Sequence, residues 1–336
     1  MSYTLNINSR CAVIGHGSWA TALVKLLSTN EKNVYWYVRN QEVCESLQTE
    51  GRNCRYLSDV EFDMKRIFVS NNVNDAVSNA DIIFLVTPAA FLKDSLSGLQ
   101  VPLKHKFVVS AIKGIIPDNY SLVSDYLKQN YGLVEEQVAF ITGPTHAEEV
   151  SHSKLTYLSL IAEDTACANI VGEKLKTNFI HINYSSGMHF YECVSCMKNI
   201  YSVLVGIAVG MGYGDNFIAV LVSNCAAEML SFLEVTRVQG LKGVNPSSFL
   251  GDLLVSSYSS HSRNRQLVQL IGRGNSVKTA LNEMTMIAEG YFAAQFVTKL
   301  TAEQKAKMPI AEAIYRILHQ NQSARKVMKS IEGILH

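Results

Sequence analysis

Two stretches of this chain hold residues whose types and spacing suit chemistry. Gly15-His16-Gly17-Ser18-Trp19-Ala20 lies near the start, and Asn245-Pro246-Ser247-Ser248-Phe249-Leu250-Gly251-Asp252 is followed ten residues on by Ser262-Arg263-Asn264-Arg265. Glycines at 15 and 17 permit a tight turn and close backbone approach to a pyrophosphate, with Ser18 and Trp19 opening the next helix. The later stretch gathers a carboxylate, a hydroxyl, a guanidinium and an amide where a helix could begin, which suits a phosphate. Between them stand Lys113, just past an apolar run, and Lys198 at the edge of the apolar Ile200–Ala208. Reduction of a carbonyl by hydride needs a proton donor. A lysine in an apolar pocket can serve, because burial lowers its pKa towards working pH.

Those residues need a scaffold, and the first half supplies an alternating one. Arg10–Ile14, Asn33–Val38, Arg66–Ser70, Asp81–Val86, Phe107–Ile112, Val138–Thr142 and Tyr157–Ala162 are short apolar runs, mostly separated by stretches long enough for a helix. Phe179–Tyr184 fits an edge strand. The pattern predicts a mainly parallel sheet covered on both faces. Beyond Gly187 the period turns helical, in Met197–Val209, Phe217–Leu233, Gln266–Ile271, Met284–Leu300 and Pro309–Leu318. The expected class is α/β, an N-terminal Rossmann-like doubly wound sheet domain over residues 1–187 and an all-helical C-terminal domain over 188–336. The first would bind the dinucleotide and the second the substrate and the catalytic groups.

Bulk properties narrow the partners. At 336 residues, the chain exceeds what one core usually holds. Lys+Arg 30 against Asp+Glu 29 argues against bulk nucleic-acid or membrane-surface binding. The Met1-Ser2-Tyr3-Thr4 start lacks a secretory pattern and the seven cysteines are scattered, so the expectation is a cytoplasmic protein. The apolar stretch from Ile200 to Gly212 is broken by Tyr201, Ser202, Gly206 and Gly210 and is shorter than the ~18 residues of a membrane span. Cys193 and Cys196 have no second pair at metal-ligand spacing and read as core cysteines, so no metal is expected. His146 reads as a loop histidine, and a homodimer is plausible from the apolar helical half. Strand Asn33–Val38 ends in Arg39-Asn40 with no acid before Glu42, which favours NADP(H) over NAD(H) or allows both.

The ordered set Gly15–Ala20, Ala111-Ile112-Lys113-Gly114, Gly143-Pro144-Thr145-His146-Ala147-Glu148-Glu149, Met197-Lys198-Asn199, Gly212-Tyr213-Gly214-Asp215-Asn216, Leu250-Gly251-Asp252 and Ser262-Arg263-Asn264-Arg265 resembles NAD(P)-dependent glycerol-3-phosphate dehydrogenase of the bacterial type. Met308-Pro309-Ile310 is similar too, and the resemblance runs over nearly the whole chain. It implies reduction of dihydroxyacetone phosphate to sn-glycerol 3-phosphate for glycerophospholipid synthesis. Lys198 would be the proton donor, and the base in reverse. Lys113 would hold substrate oxygens, assisted by Gly143 and Thr145, and Thr145 could instead cap a helix. Asp252 would orient Lys198 or bind a substrate hydroxyl. Ser262, Arg263 and Asn264 would hold the substrate phosphate. Gly15, Gly17, Ser18, Trp19, Arg39, Lys113, Ala147, Arg263, Ile287 and Glu289 would contact the cofactor. The chain departs from the pattern at Ala20 and Phe249, where glycine is expected, and the bulk of Phe249 bears on the Asp252 loop. Two other readings stand beside this one. A β-hydroxyacid or ketopantoate-type dehydrogenase would prefer a carboxylate substrate, and a non-catalytic NADP(H)-binding regulator would need no proton donor.

Overall fold

The computed structural model describes residues 4–235, 245–258, 271, 279, 289–304 and 307–336. The backbone gathers into two compact units, residues 1–112 with 121–188, and residues 113–120 with 189–336.

The first unit is built on eight strands: β1 Cys11–Ile14, β2 Val34–Tyr37, β3 Ile67–Ser70, β4 Ile82–Leu85, β5 Phe107–Ser110, β6 Val138–Thr142, β7 Thr156–Ala162 and β8 Ile180–Ser185. They form one sheet in the order β3-β2-β1-β4-β5-β6-β7-β8. Every pairing is parallel except β6 with β7. The central strands β1, β4, β5 and β6 are buried along their whole length, which is why they read as continuous apolar runs. Helices α1 Ser18–Asn30, α2 Gln41–Glu50, α3 Val73–Ser78, α4 Leu92–Leu96, α5 Val123–Tyr131, α6 Ala147–Ser151 and α7 Thr165–Leu175 connect the strands or cap them. The strand order reverses between β1 and β4, and Ile14 stands in register with both Tyr37 and Leu85. The carboxyl ends of β2, β1 and β4 therefore finish together, at the place where doubly wound sheets bind ligands.

A fully buried cation holds the opposite side. The Lys174 side chain donates to Glu31 Oε1 at 2.8 Å and to the Ile7 carbonyl at 3.0 Å, tying α7 to the end of α1 and to the segment entering β1. A buried ammonium is tolerated only when so paired.

The second unit is helical: α8 Met188–Gly210, α9 Asp215–Val235, α10 Asp252–Tyr258, α11 Glu289–Gln304, α12 Pro309–His319 and α13 Ala324–Glu332. Helix α8 starts well before the expected Met197, and Tyr201, Ser202 and Gly206 do not interrupt it. At 23 residues it is long and apolar enough to cross a membrane by length and composition, which corrects the sequence-based estimate, but 89% of its most apolar window is buried inside the protein. Its apolar surface serves as core, with Tyr191, Val194, Met197, Tyr201 and Leu204 all buried.

Glu228 on α9 organises this core. Its carboxylate accepts from the Tyr201 hydroxyl at 3.0 Å and from the backbone N–H groups of Ile310 and Ala311 at 2.8 and 2.9 Å. Pro309 at the first position of α12 has no N–H to offer, so the carboxylate takes the next two donors. Burial pushes the Glu228 carboxyl up, and the three hydrogen bonds oppose that shift. Glu228→Ala strands all three donors. The expected loss is about 3 kcal/mol by urea unfolding, with Glu228→Gln recovering part of it.

Candidate active site

In the first unit the glycine-rich turn is shaped by contact. Gly15 has φ +130°, and a Cβ there would run into the Val86 carbonyl. Its N–H donates to the Tyr37 carbonyl at 3.2 Å, and its own carbonyl accepts from Trp36 Nε1 at 2.6 Å. Gly17 differs: a Cβ on it would meet nothing within 4 Å, and it caps α1 with no side-chain hydrogen bond. The first N–H groups of a helix have no intrahelical partner, so Ser18 and Trp19 present donors beside open space. No acid sits in that first turn. Such a cradle, empty of side chain and positive in potential, fits a pyrophosphate. Ala20 is fully buried, so its extra methyl belongs to the helix–strand packing.

Other predicted residues of this unit occupy strand ends. Arg39 follows β2, reaches Asp94 at 3.7 Å and lies over the Phe91 ring at 5.4 Å from its centroid. Gly143 follows β6 with φ +120°, where a Cβ would stand 2.9 Å from the Tyr157 carbonyl. The Thr145 hydroxyl donates back to the Gly143 carbonyl at 3.2 Å instead of capping a helix, and His146 takes the N-cap of α6 without a side-chain bond. Of the two roles open to Thr145, capping a helix or contacting a ligand, the first falls to His146 by position. Ala147 opens α6 and is buried.

In the second unit the structure brings together Lys198, Asp252 and Lys113. Asp252 opens α10 and is almost fully buried; its Oδ1 accepts from Lys198 Nζ at 2.7 Å and its Oδ2 from Lys113 Nζ at 2.9 Å. Side-chain exposure is 3% for Asp252, 7% for Lys198 and 21% for Lys113, so the two ammoniums share a largely desolvated carboxylate. Burial alone would raise the Asp252 pKa, but the two ammoniums overcome it and hold the carboxyl below its ordinary value. Burial, with Lys113 nearby, lowers Lys198 to about 8, against the opposing pull of Asp252. An ammonium so poised can give or take a proton near neutral pH. Phe249 is buried in a π turn over Ser247–Gly251, and Asp252 still engages both lysines.

Two residues to which the sequence assigned no role join the cluster. Ser256 sits one helical turn beyond Asp252, and Lys198 Nζ donates to its hydroxyl at 3.1 Å. The (i, i+4) spacing was the available signal. Asn199 donates from Nδ2 to the Lys113 carbonyl at 2.5 Å, fixing the backbone that carries that lysine. A Cβ on Gly290 would lie 2.5 Å from the Asn199 carbonyl, so the start of α11, with Glu289, packs tightly on α8 at this point. Ser262, Arg263, Asn264 and Ile287 lie outside the described residues. Cys193 and Cys196 are buried in α8, and burial pushes the Cys196 thiol well above its ordinary value, away from the thiolate a metal or redox role requires.

A doubly wound sheet with an uncapped glycine turn, followed by a helical unit carrying a buried lysine on a carboxylate, is the architecture of an NAD(P)-dependent dehydrogenase. Residues 10–168 match the model for the NAD-dependent glycerol-3-phosphate dehydrogenase N-terminus and residues 189–329 that for its C-terminus. A glycerol-3-phosphate dehydrogenase [NAD(P)+] of an Exiguobacterium species is 32% identical over 327 residues, covering 95% of this chain and 94% of that protein. The protein of the same name from Chlorobium limicola is 33% identical over 326 residues, covering 94% and 95%. The crystal structure of glycerol-3-phosphate dehydrogenase from Coxiella burnetii superposes with a TM-score of 0.86 at 23% identity, over 97% of this chain and 99% of that one. The chain belongs to the NAD(P)-dependent glycerol-3-phosphate dehydrogenase family.

Removing the shared carboxylate tests the cluster. Asp252→Ala leaves two ammoniums with little water and no counter-charge, and is expected to cost about 3–5 kcal/mol by urea unfolding. The missing carboxylate had raised the Lys198 pKa, so the variant's lysine sheds its proton more readily. The deficit against the parent protein should therefore narrow as pH rises from about 7 to about 9.

Proposed function

We propose that this protein reduces dihydroxyacetone phosphate to sn-glycerol 3-phosphate with NADPH or NADH, supplying glycerophospholipid synthesis. The observation that carries the proposal is the buried Lys198 ammonium, held at 2.7 Å on Asp252 with its pKa lowered to about 8. Residues 1–187 serve as the dinucleotide-binding domain and 188–336 as the domain for substrate and catalysis. When bound, the reduced nicotinamide supplies the hydride.

The protein's own residues do the rest. Lys198 gives a proton to the ketone oxygen as negative charge develops there, and recovers it as base in the reverse reaction. Asp252 keeps that ammonium aimed, and Ser256 takes a second of its three N–H donors, leaving one for substrate. Lys113 draws on the substrate oxygens, assisted by Gly143 and Thr145. Ser262, Arg263 and Asn264 carry the phosphate, an assignment that rests on their hydroxyl, guanidinium and amide donors. Gly15, Gly17, Ser18, Trp19, Arg39, Lys113, Ala147, Arg263, Ile287 and Glu289 hold the cofactor. The protein acts in the cytoplasm, as a homodimer, on this small-molecule substrate.

The family match across both halves of the chain does not favour the β-hydroxyacid, ketopantoate-type or regulator readings. NADPH and NADH absorbance, followed with dihydroxyacetone phosphate and separately with a 2-keto acid, separates them. Lys198→Ala is expected to lose about 10²–10⁴ in turnover with its fold intact; near-normal turnover would refute the proton-donor role. The pH profile carries a sign. Reduction needs the protonated lysine and should fall as pH rises through about 8, while oxidation of glycerol 3-phosphate needs the neutral amine and should rise through the same range.

A further inference from the structure

The loop after α2 carries an arginine that no role above uses. Asn53 is fully buried, and its Nδ2 donates to the His16 carbonyl and to Thr21 Oγ1, both at 2.9 Å. Its Oδ1 accepts from the N–H groups of Arg55 and Tyr56, each at 3.1 Å. One buried amide thus binds this loop to the glycine-rich turn at one end and to the Arg55 backbone at the other. Tyr56 completes the join, its ring edge-on to that of His16 at 6.2 Å.

Arg55 places two guanidinium nitrogens on a single carboxylate oxygen of Glu42, Nε at 3.1 Å and Nη2 closer still. Glu42 lies in the first turn of α2, directly after β2 and Arg39. In this type of sheet an acid near the end of the second strand accepts from the ribose hydroxyls of NAD and repels the 2′-phosphate of NADP. Among the described residues, Arg39 pairs with Asp94 and Arg55 with Glu42. Burial, then Arg39, then Arg55 lower the His16 pKa, so the fields of both guanidiniums reach the turn.

A stabilising role does not account for the arrangement. Arg55 and Glu42 are 51% and 63% exposed, and pairs that open to water add little to stability. A buried asparagine nevertheless fixes the backbone that carries the arginine.

We propose that Arg55 is a specificity-determining residue for the 2′-phosphate of NADPH. It neutralises Glu42, the carboxylate that would otherwise repel the phosphate, and brings further N–H donors beside Arg39. This rests on the dinucleotide reading of the first unit. It assigns the preference to a loop residue about forty positions beyond the glycine turn, in addition to the residue ending β2.

The test is calorimetric titration of the full chain with 2′-phospho-ADP-ribose and with ADP-ribose, at low and moderate salt. Arg55→Gln should weaken the phosphorylated probe about tenfold or more and leave ADP-ribose within about twofold. Arg55→Gln with Glu42→Gln should recover part of that loss, because the exposed carboxylate has gone. The discrimination should shrink as salt rises, since these groups face water. Equal weakening of both probes would overturn the proposal and make Arg55 a mere support of the loop; no change in either would overturn it as well. If the parent protein bound neither probe, the dinucleotide reading itself would fall, and this inference with it.

Discussion

One carboxylate shared by two ammoniums is the constraint on which the helical unit depends. Asp252 is nearly dry, and so is Lys198. Neither charge would be stable there alone. The geometry must therefore be right in three separate pieces of chain: the segment that follows β5, the middle of α8 and the first turn of α10. Asn199 on the Lys113 carbonyl and Gly290 against the Asn199 carbonyl show how far the surroundings go to fix two of them. The same desolvation that makes the cluster costly lowers the Lys198 pKa. Stability and chemistry here are two consequences of one burial.

The sheet unit solves a different problem, that of leaving room. Its core strands are continuous apolar runs, but the chain at the carboxyl end of β1 is stripped of side chain. Gly15 is forced by the Val86 carbonyl and by its positive φ, whereas nothing among the described residues requires a glycine at 17. A small residue with open space around it and an uncapped helix behind it is explained by a ligand, not by packing.

Much of this was legible in the sequence because it follows from period and composition. Cys11–Ile14, Ile82–Leu85 and Phe107–Ser110 are buried on both faces, so their continuous apolar runs marked them as central strands. Lys198 stood out as a cation beside an apolar helix, and its burial follows from that. The true start of α8 was obscured because Tyr201, Ser202 and Gly206 look like punctuation; buried tertiary contacts override such weak local preferences. The reversal between β6 and β7 left no trace, since a largely buried strand has the same composition in either direction.

Residues that act by holding other residues were the least visible. Glu228, Asn53 and Ser256 lie in no motif, and their partners are 82, 37 and 58 positions away in the chain. A polar side chain in a helix or loop is unremarkable until the fold removes its water. After that it must find a partner, and the partner it finds fixes the geometry around it. Glu228 sets the start of α12, Asn53 sets the loop beside the glycine turn, and Ser256 sets the second point of contact on the Lys198 ammonium. The reactive groups could be found by their chemistry, but the groups that position them are defined only by burial, which is a property of the folded chain.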